Sequence, residues 1–355
     1  MVSDVPCVCS IYYLFGCGSA AINRVLMKDN KVTFPIDLVY LWVDGSDPEW
    51  RAKRNRCMGK GDDETPIVEA RWIDNAELRY SLRSVEMYAP WVNHIYIVTD
   101  GQCPEWLNRA NPKVTVIDHR DIAPHDALPL FNSHAIESCV HNIPNLSEHF
   151  ILGNDDTLFS APVTPEIFFH GDGRPVVRLS GQRFSRAKAQ RKGLYERVVA
   201  HMQELIKERY GKDICHAPHH NFDAYRRSDF AKAMAIMPEA WNKTTYNRFR
   251  SEEDMQRCYI TYWSVVEGGA DMRLVGRYNR TGGILGSIKA LLIGRFASDS
   301  RCIPLTERDY DGVLAKYNPL MICMNDGETT TDADRRRLVE FLDRHYPNKS
   351  AFERL

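Results

Sequence analysis

The residues best suited to chemistry are two adjacent carboxylates that follow a short apolar run. Asn154, Asp155 and Asp156 come just after Phe150–Leu152 (FIL). Mg²⁺ and Mn²⁺ bind one or two protein carboxylates and complete their coordination with water and phosphate oxygens. The Asn-Asp-Asp sequence therefore predicts a magnesium or manganese site, with a turn that has no ligand as the alternative.

Three histidines lie within five residues in the segment His216-Ala-Pro-His219-His220. Imidazole titrates near neutral pH, so it can act as general acid or base, or bind a phosphate. Two alternatives stay open. One is a zinc site, for which no Cys or His partner has matching spacing. The other is a set of surface histidines without a chemical role.

Arg79 and Arg83 are four residues apart on a predicted helix. Like charges at this spacing repel each other, so both side chains should have a partner of opposite charge. That partner is either a carboxylate, with Glu77 and Glu86 nearby, or the phosphate of a ligand, which Arg binds in a forked geometry.

A second pair, Arg248 and Arg250, precedes the acidic residues 252–254. Acidic residues are typical of the first turn of a helix, and the residues before that turn can join its backbone N–H groups in an anion site. A local salt bridge to Glu253 or Asp254 is the alternative.

The helices and strands that would position these residues are predicted from the spacing of apolar residues. A helix at about Asn75 to Met87 should be capped by Asp74, with Glu77 completing a capping box. Further helices are expected over 132–142, 187–208 and 332–345, the last after Thr331. The predicted strands are Ile36–Val43, His94–Thr99, Val114–Ile117, Phe150–Leu152 and Leu320–Met324. Strands that alternate with helices predict a mainly parallel α/β sheet.

Polar residues follow most of these strands: Asp44-Gly45, Asp100-Gly101, 118–121, 154–156 and Asn325-Asp326. In open α/β sheets, ligands bind outside the carboxyl ends of the strands. The set therefore predicts one crevice for a metal ion or a polyol, although any single position is explained equally well by a turn.

The charge and the cysteine content of the chain argue against some classes of protein. The 355-residue chain has a formal net charge of −1, which argues against a nucleic-acid-binding protein. An anionic ligand must then be met by local clusters of Arg, Lys and His. The 10 cysteines form no CxxC pair, which favours reduced thiols and a cytoplasmic protein.

The chain is divided into an N-terminal extension, residues 1–30, and one main domain, residues 31–355. Within that domain the charged segment 171–211 is predicted to be a helical insertion or an acceptor-binding segment, with a solvated helix face as the alternative. No apolar run reaches the about 20 residues of a transmembrane helix. Residues 284–296 are predicted to form a core helix or, alternatively, a helix lying peripherally on the inner membrane face.

Several segments together resemble the stealth family of sugar-phosphate transferases. The resemblance covers most of the chain from 36 to 353, in the family's order. Its motifs are IDLVYLWVDGSDPEW (36–50), the long segment 71–107, the segment 128–159 with the Asn-Asp-Asp turn, HAPHHNFDAY (216–225), RFRSEEDMQ (248–256) and the closing segment 322–353.

The resemblance implies a Rossmann-like nucleotide-sugar-binding sheet, a Mg²⁺ or Mn²⁺ ion, a nucleotide diphosphosugar donor and an oligosaccharide or polysaccharide acceptor. By position, the implied catalytic residues are Asp44, Glu137, His216 and Arg250, with His219 as the alternative to His216. The implied nucleotide-sugar contacts are Trp42, Gly45, Arg79, Arg83 and Asp100. The implied metal ligands are Asp155, Asp156 and Asn325.

The implied reaction moves a hexose-1-phosphate, such as N-acetylglucosamine-1-phosphate, from a UDP-sugar to a carbohydrate hydroxyl and releases UMP. The setting would be the synthesis of a bacterial capsule or exopolysaccharide. One alternative is a metal-dependent glycosyltransferase, which would attack the anomeric carbon and release UDP. Another is a catalytically inactive carbohydrate-binding module, which donor turnover would exclude.

Overall fold

A computed structural model of the chain describes residues 31–60, 72–275 and 298–354. The predicted extension at 1–30 and the predicted core or surface helix at 284–296 lie outside these ranges. Among the helices inside them, none has both the length and the apolar character needed to cross a membrane.

Strands and helices alternate along much of the described chain. The strands are β1 Ile36–Leu41, β2 Ile95–Thr99, β3 Val114–Asp118, β4 His149–Asn154, β5 Thr157–Phe159, β6 Val176–Arg183, β7 His216–Pro218, β8 Asp223–Arg226, β9 Asp271–Val275, β10 Ser300–Pro304 and β11 Met321–Asn325. The α-helices are α1 Pro48–Cys57, α2 Glu77–Tyr88, α3 His119–Ile122, α4 Ser133–Cys139, α5 Arg186–Ala189, α6 Leu194–Tyr210, α7 Arg227–Ile236, α8 Pro238–Thr245, α9 Cys258–Val266, α10 Tyr310–Tyr317 and α11 Asp332–His345.

The largest sheet has the strand order β3-β2-β1-β4-β8. Its first four strands are parallel, with Leu38 of β1 opposite Ile95 of β2 and Ile151 of β4, while β8 joins the edge antiparallel. The parallel strands β1 and β2 are buried almost throughout, as is typical of mostly apolar strands in a parallel sheet. The buried Asp37 of β1 is the exception, and its carboxylate accepts hydrogen bonds from Asn93 and Ser147. The predicted mainly parallel α/β sheet is confirmed, and the carboxyl ends of its parallel strands share one edge.

Two smaller sheets complete the fold. One has the order β7-β6-β9, and the other has β10-β11-β5. Strand β6 lies within residues 171–211, so the segment predicted to be a helical insertion or an acceptor-binding segment contains a strand as well as helices α5 and α6. Its sequence VVRLSGQR begins with β-branched residues whose side chains are buried, which favours a strand over the helix suggested by the charges that follow.

Three helix predictions differ from the structure. Helix α2 begins at Glu77, after Ala76 in the left-handed region (φ 65°), and Glu77 accepts hydrogen bonds from Asn75 instead of completing a capping box with Asp74. The helix expected over 187–208 is two helices, because Gly193 between them is extended and cannot cap with a side chain. Residues 251–254 form a turn, and the next helix begins only at Cys258.

The C-terminal helix agrees with its prediction. Helix α11 runs over Asp332–His345, and Thr331 and Asp334 exchange the hydrogen bonds of a capping box. Its apolar side packs Phe341 and Leu342 against Ile322 of β11. This packing fixes the carboxyl end of β11 beside the end of β4, where the candidate site lies.

Candidate active site

A cavity of about 310 Å³ opens at the carboxyl edge of the parallel strands. It is bounded by residues that follow β1, β2, β4, β7 and β11, and by one side of α4. The predicted site residues that line it are Trp42, Asp100, Glu137, Asp155, Asp156, His219, Arg250 and Asn325. Residues distant in sequence thus meet at the edge where α/β sheets bind ligands.

Asp44 and Gly45 lie in the turn after β1 and do not line this cavity. The Asp44 carboxylate accepts hydrogen bonds from the backbone N and Oγ of Ser46, at 2.8 and 2.6 Å. A Cβ on Gly45 would lie 2.2 Å from the carbonyl oxygen of Trp72, so glycine is required by this close approach of two backbones. In this structure the two residues shape the turn after β1, and their expected roles at the nucleotide sugar stay predictions.

Arg79 and Arg83 are also outside the cavity lining. Both bind the buried carboxylate of Glu353, with Nε–Oε2 at 2.5 Å for Arg79 and Nε–Oε1 at 2.7 Å for Arg83. The repulsion between the two arginines is thus relieved by one carboxylate far along the chain. The structure thus shows a carboxylate partner, one of the two alternatives that the sequence left open, and the two guanidinium groups attach the C-terminal segment to α2.

His216 is a buried residue of β7 and does not line the cavity. Its Nδ1 lies 2.8 Å from the carbonyl oxygen of Ser180. Its own carbonyl oxygen accepts hydrogen bonds from Gln203 Nε2 (3.1 Å) and the Tyr262 hydroxyl (2.9 Å). The alternative candidate, His219, lines the cavity instead, because the chain turns toward it after β7 ends at Pro218.

His219 and His220 both face the cavity. The Nδ1 atom of His219 is 2.6 Å from Ser300 Oγ. Burial lowers the pKa of His219 to about 4, and the charge of Arg178 adds to this effect. Burial also lowers the pKa of His220, although the charge of Asp156 opposes it. Both imidazoles are therefore neutral at pH 7 and can accept protons or bind cations.

Asp155 and Asp156 form the acidic wall of the cavity. Burial raises the pKa of Asp155 well above its usual value, and the charges of Asp156 and Glu77 raise it further. Burial also raises the pKa of Asp156. The Oδ1 atom of Asp156 is buried and has no hydrogen-bond partner among the described residues. Carboxylates this close favour a bound cation, which would stabilise both in the charged form.

A buried arginine behind this wall was missed in the sequence. Arg257 places Nη1 3.5 Å from Glu137 Oε1 and Nη2 3.5 Å from Asp223 Oδ2. Burial alone would lower the pKa of Arg257, but the charges of these two carboxylates raise it. Burial in turn raises the pKa of Asp223 to about 6. Arg257 directly follows the RFRSEEDMQ motif, and this position next to a family motif could have marked it as a candidate site residue.

Arg250 reaches the cavity from the turn that carries this motif. Its Nη2 donates a hydrogen bond of 2.6 Å to Ser133 Oγ, at the start of α4. The acidic residues that follow have other partners: Glu252 pairs with Arg197, and Glu253 pairs with Lys243. The guanidinium of Arg250 is exposed toward the cavity, where an anion can reach it.

Aromatic side chains also line the cavity. Trp42, Trp50 and Trp72 line it, and the ring centroids of Trp50 and Trp72 are 5.2 Å apart. Asp100 is held there by Lys53, with Nζ–Oδ2 at 2.7 Å. The cavity lining thus combines aromatic rings with carboxylates, histidines and an arginine.

Sequence comparison identifies the family. Models of Stealth protein CR1, conserved region 1, and Stealth protein CR2, conserved region 2, match residues 34–62 and 71–177. An exopolysaccharide phosphotransferase of Lactiplantibacillus plantarum is 38% identical over 267 residues, which are 66% of this chain and 76% of that protein. The chain belongs to the stealth family.

Two other relatives are also similar to this chain. An exopolysaccharide phosphotransferase of Streptomyces coelicolor is 38% identical over 344 residues, 94% of this chain, but the chain spans only 55% of that protein's length. A capsular polysaccharide phosphotransferase of Neisseria meningitidis is 38% identical over 243 residues, 66% of each chain. A galactosyltransferase crystal structure with donor and acceptor sugar analogs aligns with 87% of this chain and 96% of its own, at 11% identity and a TM-score of 0.42, which is too low to support an argument.

Proposed function

We propose that this stealth protein transfers a hexose-1-phosphate from a UDP-sugar to a hydroxyl of an oligosaccharide or polysaccharide. The observation that supports this most is the meeting of Asp155, Asp156, His219 and Arg250 in one cavity. Phosphoryl transfer requires mostly positioning and neutralisation of charge, which such a set provides. The acceptor oxygen bonds to the phosphorus that carries the sugar, the bond from that phosphorus to the bridging oxygen breaks, and UMP leaves.

Asp155, Asp156 and Asn325 would hold Mg²⁺ or Mn²⁺. They fit such an ion, because they offer oxygen ligands at one cavity wall and the buried Oδ1 of Asp156 has no partner in the described structure. The backbone N of Met324 donates 2.9 Å to the carbonyl oxygen of Asp156, which holds β11 and Asn325 beside the carboxylates. When bound, the ion would neutralise negative charge on the diphosphate.

Arg250 would bind the oxygens of the transferred phosphoryl group. A guanidinium carries five donors in a plane, and one of them is directed at Ser133. Arg257 lies deeper and is held by Glu137 and Asp223. We assign Arg257 to positioning, since it keeps Glu137 fixed in the wall while Arg250 meets the ligand.

His219 would remove the proton of the acceptor hydroxyl. In the tautomer in which Nδ1–H donates to Ser300 Oγ, Nε2 accepts that proton. The low pKa of the imidazole keeps it neutral before the ligand binds. A bound diphosphate would raise this pKa, because a nearby anion favours the imidazolium form. This assignment replaces His216, which is buried away from the cavity.

The segment 171–211 would contribute to acceptor binding. Tyr195, in the first turn of α6, lines the cavity, and 42% of its surface is exposed. An exposed aromatic ring at a cavity rim suits stacking against a sugar. The aromatic side chains of Trp42 and Trp50, which also line the cavity, would then contribute to nucleotide binding.

The test is the nucleotide released from a UDP-sugar. The protein is incubated with Mg²⁺, capsular oligosaccharide and a panel of donors that begins with UDP-N-acetylglucosamine, and nucleotides are separated by chromatography. Release of UMP that depends on the acceptor supports the proposal. Release of UDP would instead show a glycosyltransferase, and folded protein that turns over no donor would point to a binding module.

A further inference from the structure

Three side chains with different ligand atoms meet beside the acidic wall. Asp156 follows β4, His220 follows β7, and Cys323 lies within β11. Their potential ligand atoms all lie within 4.8 Å of one another. The Cys323 thiol is 3.2 Å from Asp156 Oδ2, to which it donates a hydrogen bond. Residues from three segments thus form one compact group.

The fold holds this group in place. Strand β11 pairs with β5, so that Cys323 is opposite Thr157, next to Asp156. On the other side, Gly153 of β4 is packed so closely against Phe222 that a Cβ would lie 2.5 Å from its ring. The loop that carries His220 is therefore tied to β4 at a site where only glycine fits. The three ligand atoms are positioned by sheet pairing and packing.

The chemistry of the group differs from that of a magnesium site. Mg²⁺ prefers oxygen ligands, whereas Zn²⁺ and similar ions accept thiolate, imidazole and carboxylate together. Ligand atoms bound at about 2.0–2.3 Å in a tetrahedral arrangement lie about 3.5 Å apart, close to the 3.2 Å that already separates Cys323 and Asp156. The cavity, which Asp156 and His220 line, provides a path for an ion to enter.

We propose that Asp156, His220 and Cys323 bind a thiophilic divalent cation such as Zn²⁺, leaving a fourth position open to water or a ligand oxygen. Binding displaces the thiol proton of Cys323, which goes to solvent. The evidence for this site does not depend on the proposed reaction, because it consists of the positions of the three ligands alone. Since Asp156 would be shared, Zn²⁺ is expected to compete with Mg²⁺.

The test uses Co²⁺ and Cd²⁺ as optical probes of the reduced, metal-free protein. One equivalent should bind by equilibrium dialysis and produce the ultraviolet charge-transfer band of a metal thiolate. Cys323→Ser should lose the band and raise the Kd at least about tenfold. Cys57→Ser is the control, because Cys57 lies at the end of α1, is partly exposed and is not one of the three ligands, and it should keep both the band and the Kd.

Three results would overturn the site: no thiolate band in the folded protein, a band that survives Cys323→Ser, or a band lost only in Cys57→Ser. Because Cys323 is buried, its serine variant could unfold, which circular dichroism detects. In that case the His220→Ala variant provides the test. An unchanged Kd for the probe metal rejects the site, and a Kd raised at least about tenfold supports it. These readouts do not involve donor turnover, so a failure here is distinct from a failure of the proposed reaction.

Discussion

The carboxylate of Glu353 should stabilise the fold strongly and do so only above acidic pH. Its side chain is 1% exposed and binds both Arg79 and Arg83, and the backbone N of Ser350 donates a further hydrogen bond of 2.9 Å. Burial alone would raise the pKa of the Glu353 carboxyl. Hydrogen bonds from Arg83, Ser350 and Arg79 outweigh burial and lower this pKa to about 2. A lowered acid pKa means that folding favours the ionised form.

The size of this effect follows from the shift. From 4.5 to about 2, at about 1.4 kcal/mol for each unit, the carboxylate contributes on the order of 3 kcal/mol at pH 7. Glu353→Gln should therefore lower the free energy of unfolding by about 3 kcal/mol, in the range for breaking a buried ion pair. The contribution is complete above the unfolded pKa of 4.5 and disappears as the pH falls through about 2.

Urea titrations followed by circular dichroism at pH 7 and pH 3 would measure this difference. Glu340→Gln is the matched control, because Glu340 is exposed on α11, and its unfolding free energy should stay within about 0.5 kcal/mol of the parent. Donor turnover of Glu353→Gln at pH 7 should be preserved, since Glu353 does not line the cavity. A Glu353→Gln variant as stable as the control, or a deficit that does not shrink at pH 3, would refute the reasoning.

The remaining predictions concern the cavity. His219→Ala should lower kcat by about 10²-fold or more, whereas His216→Ala should lower stability with little effect on kcat; the opposite pattern would return the base to His216. Asp156→Asn should abolish turnover that Mg²⁺ otherwise restores after EDTA treatment, and full activity in metal-free protein would contradict the cation. Arg250→Ala should raise the donor KM and lower kcat by about 10²-fold, so unchanged kinetics would remove Arg250 from the phosphate site.

The parallel sheet could be predicted because its strands are short, mostly apolar runs that alternate with helices, which is typical of a parallel sheet covered on both faces. Helix α11 could be predicted because Thr331 and Asp334 satisfy the first backbone N–H groups locally. The start of α2 could not, since Asp74 and Glu77 have the spacing of a capping box but Ala76 adopts a left-handed conformation. Local spacing cannot reveal that conformation.

Site residues were predictable where a strand end fixes them and less so elsewhere. Asp155 and Asp156 follow β4, so the sheet alone brings them to the cavity. His216 and His219 are three residues apart, and which of them faces the cavity depends on where β7 ends. The partner of Arg83 could not be predicted because Glu353 lies 270 residues away, at a distance that no local pattern spans.

The central claim is that the bond formed is a phosphodiester between two sugars. The most direct measurement is phosphorus NMR of the purified product made from a UDP-sugar and capsular oligosaccharide, before and after treatment with a phosphomonoesterase. The proposed transfer of a sugar phosphate predicts a diester resonance that survives the treatment, with UMP released in equal amount. A product without phosphorus, formed with release of UDP, would contradict it.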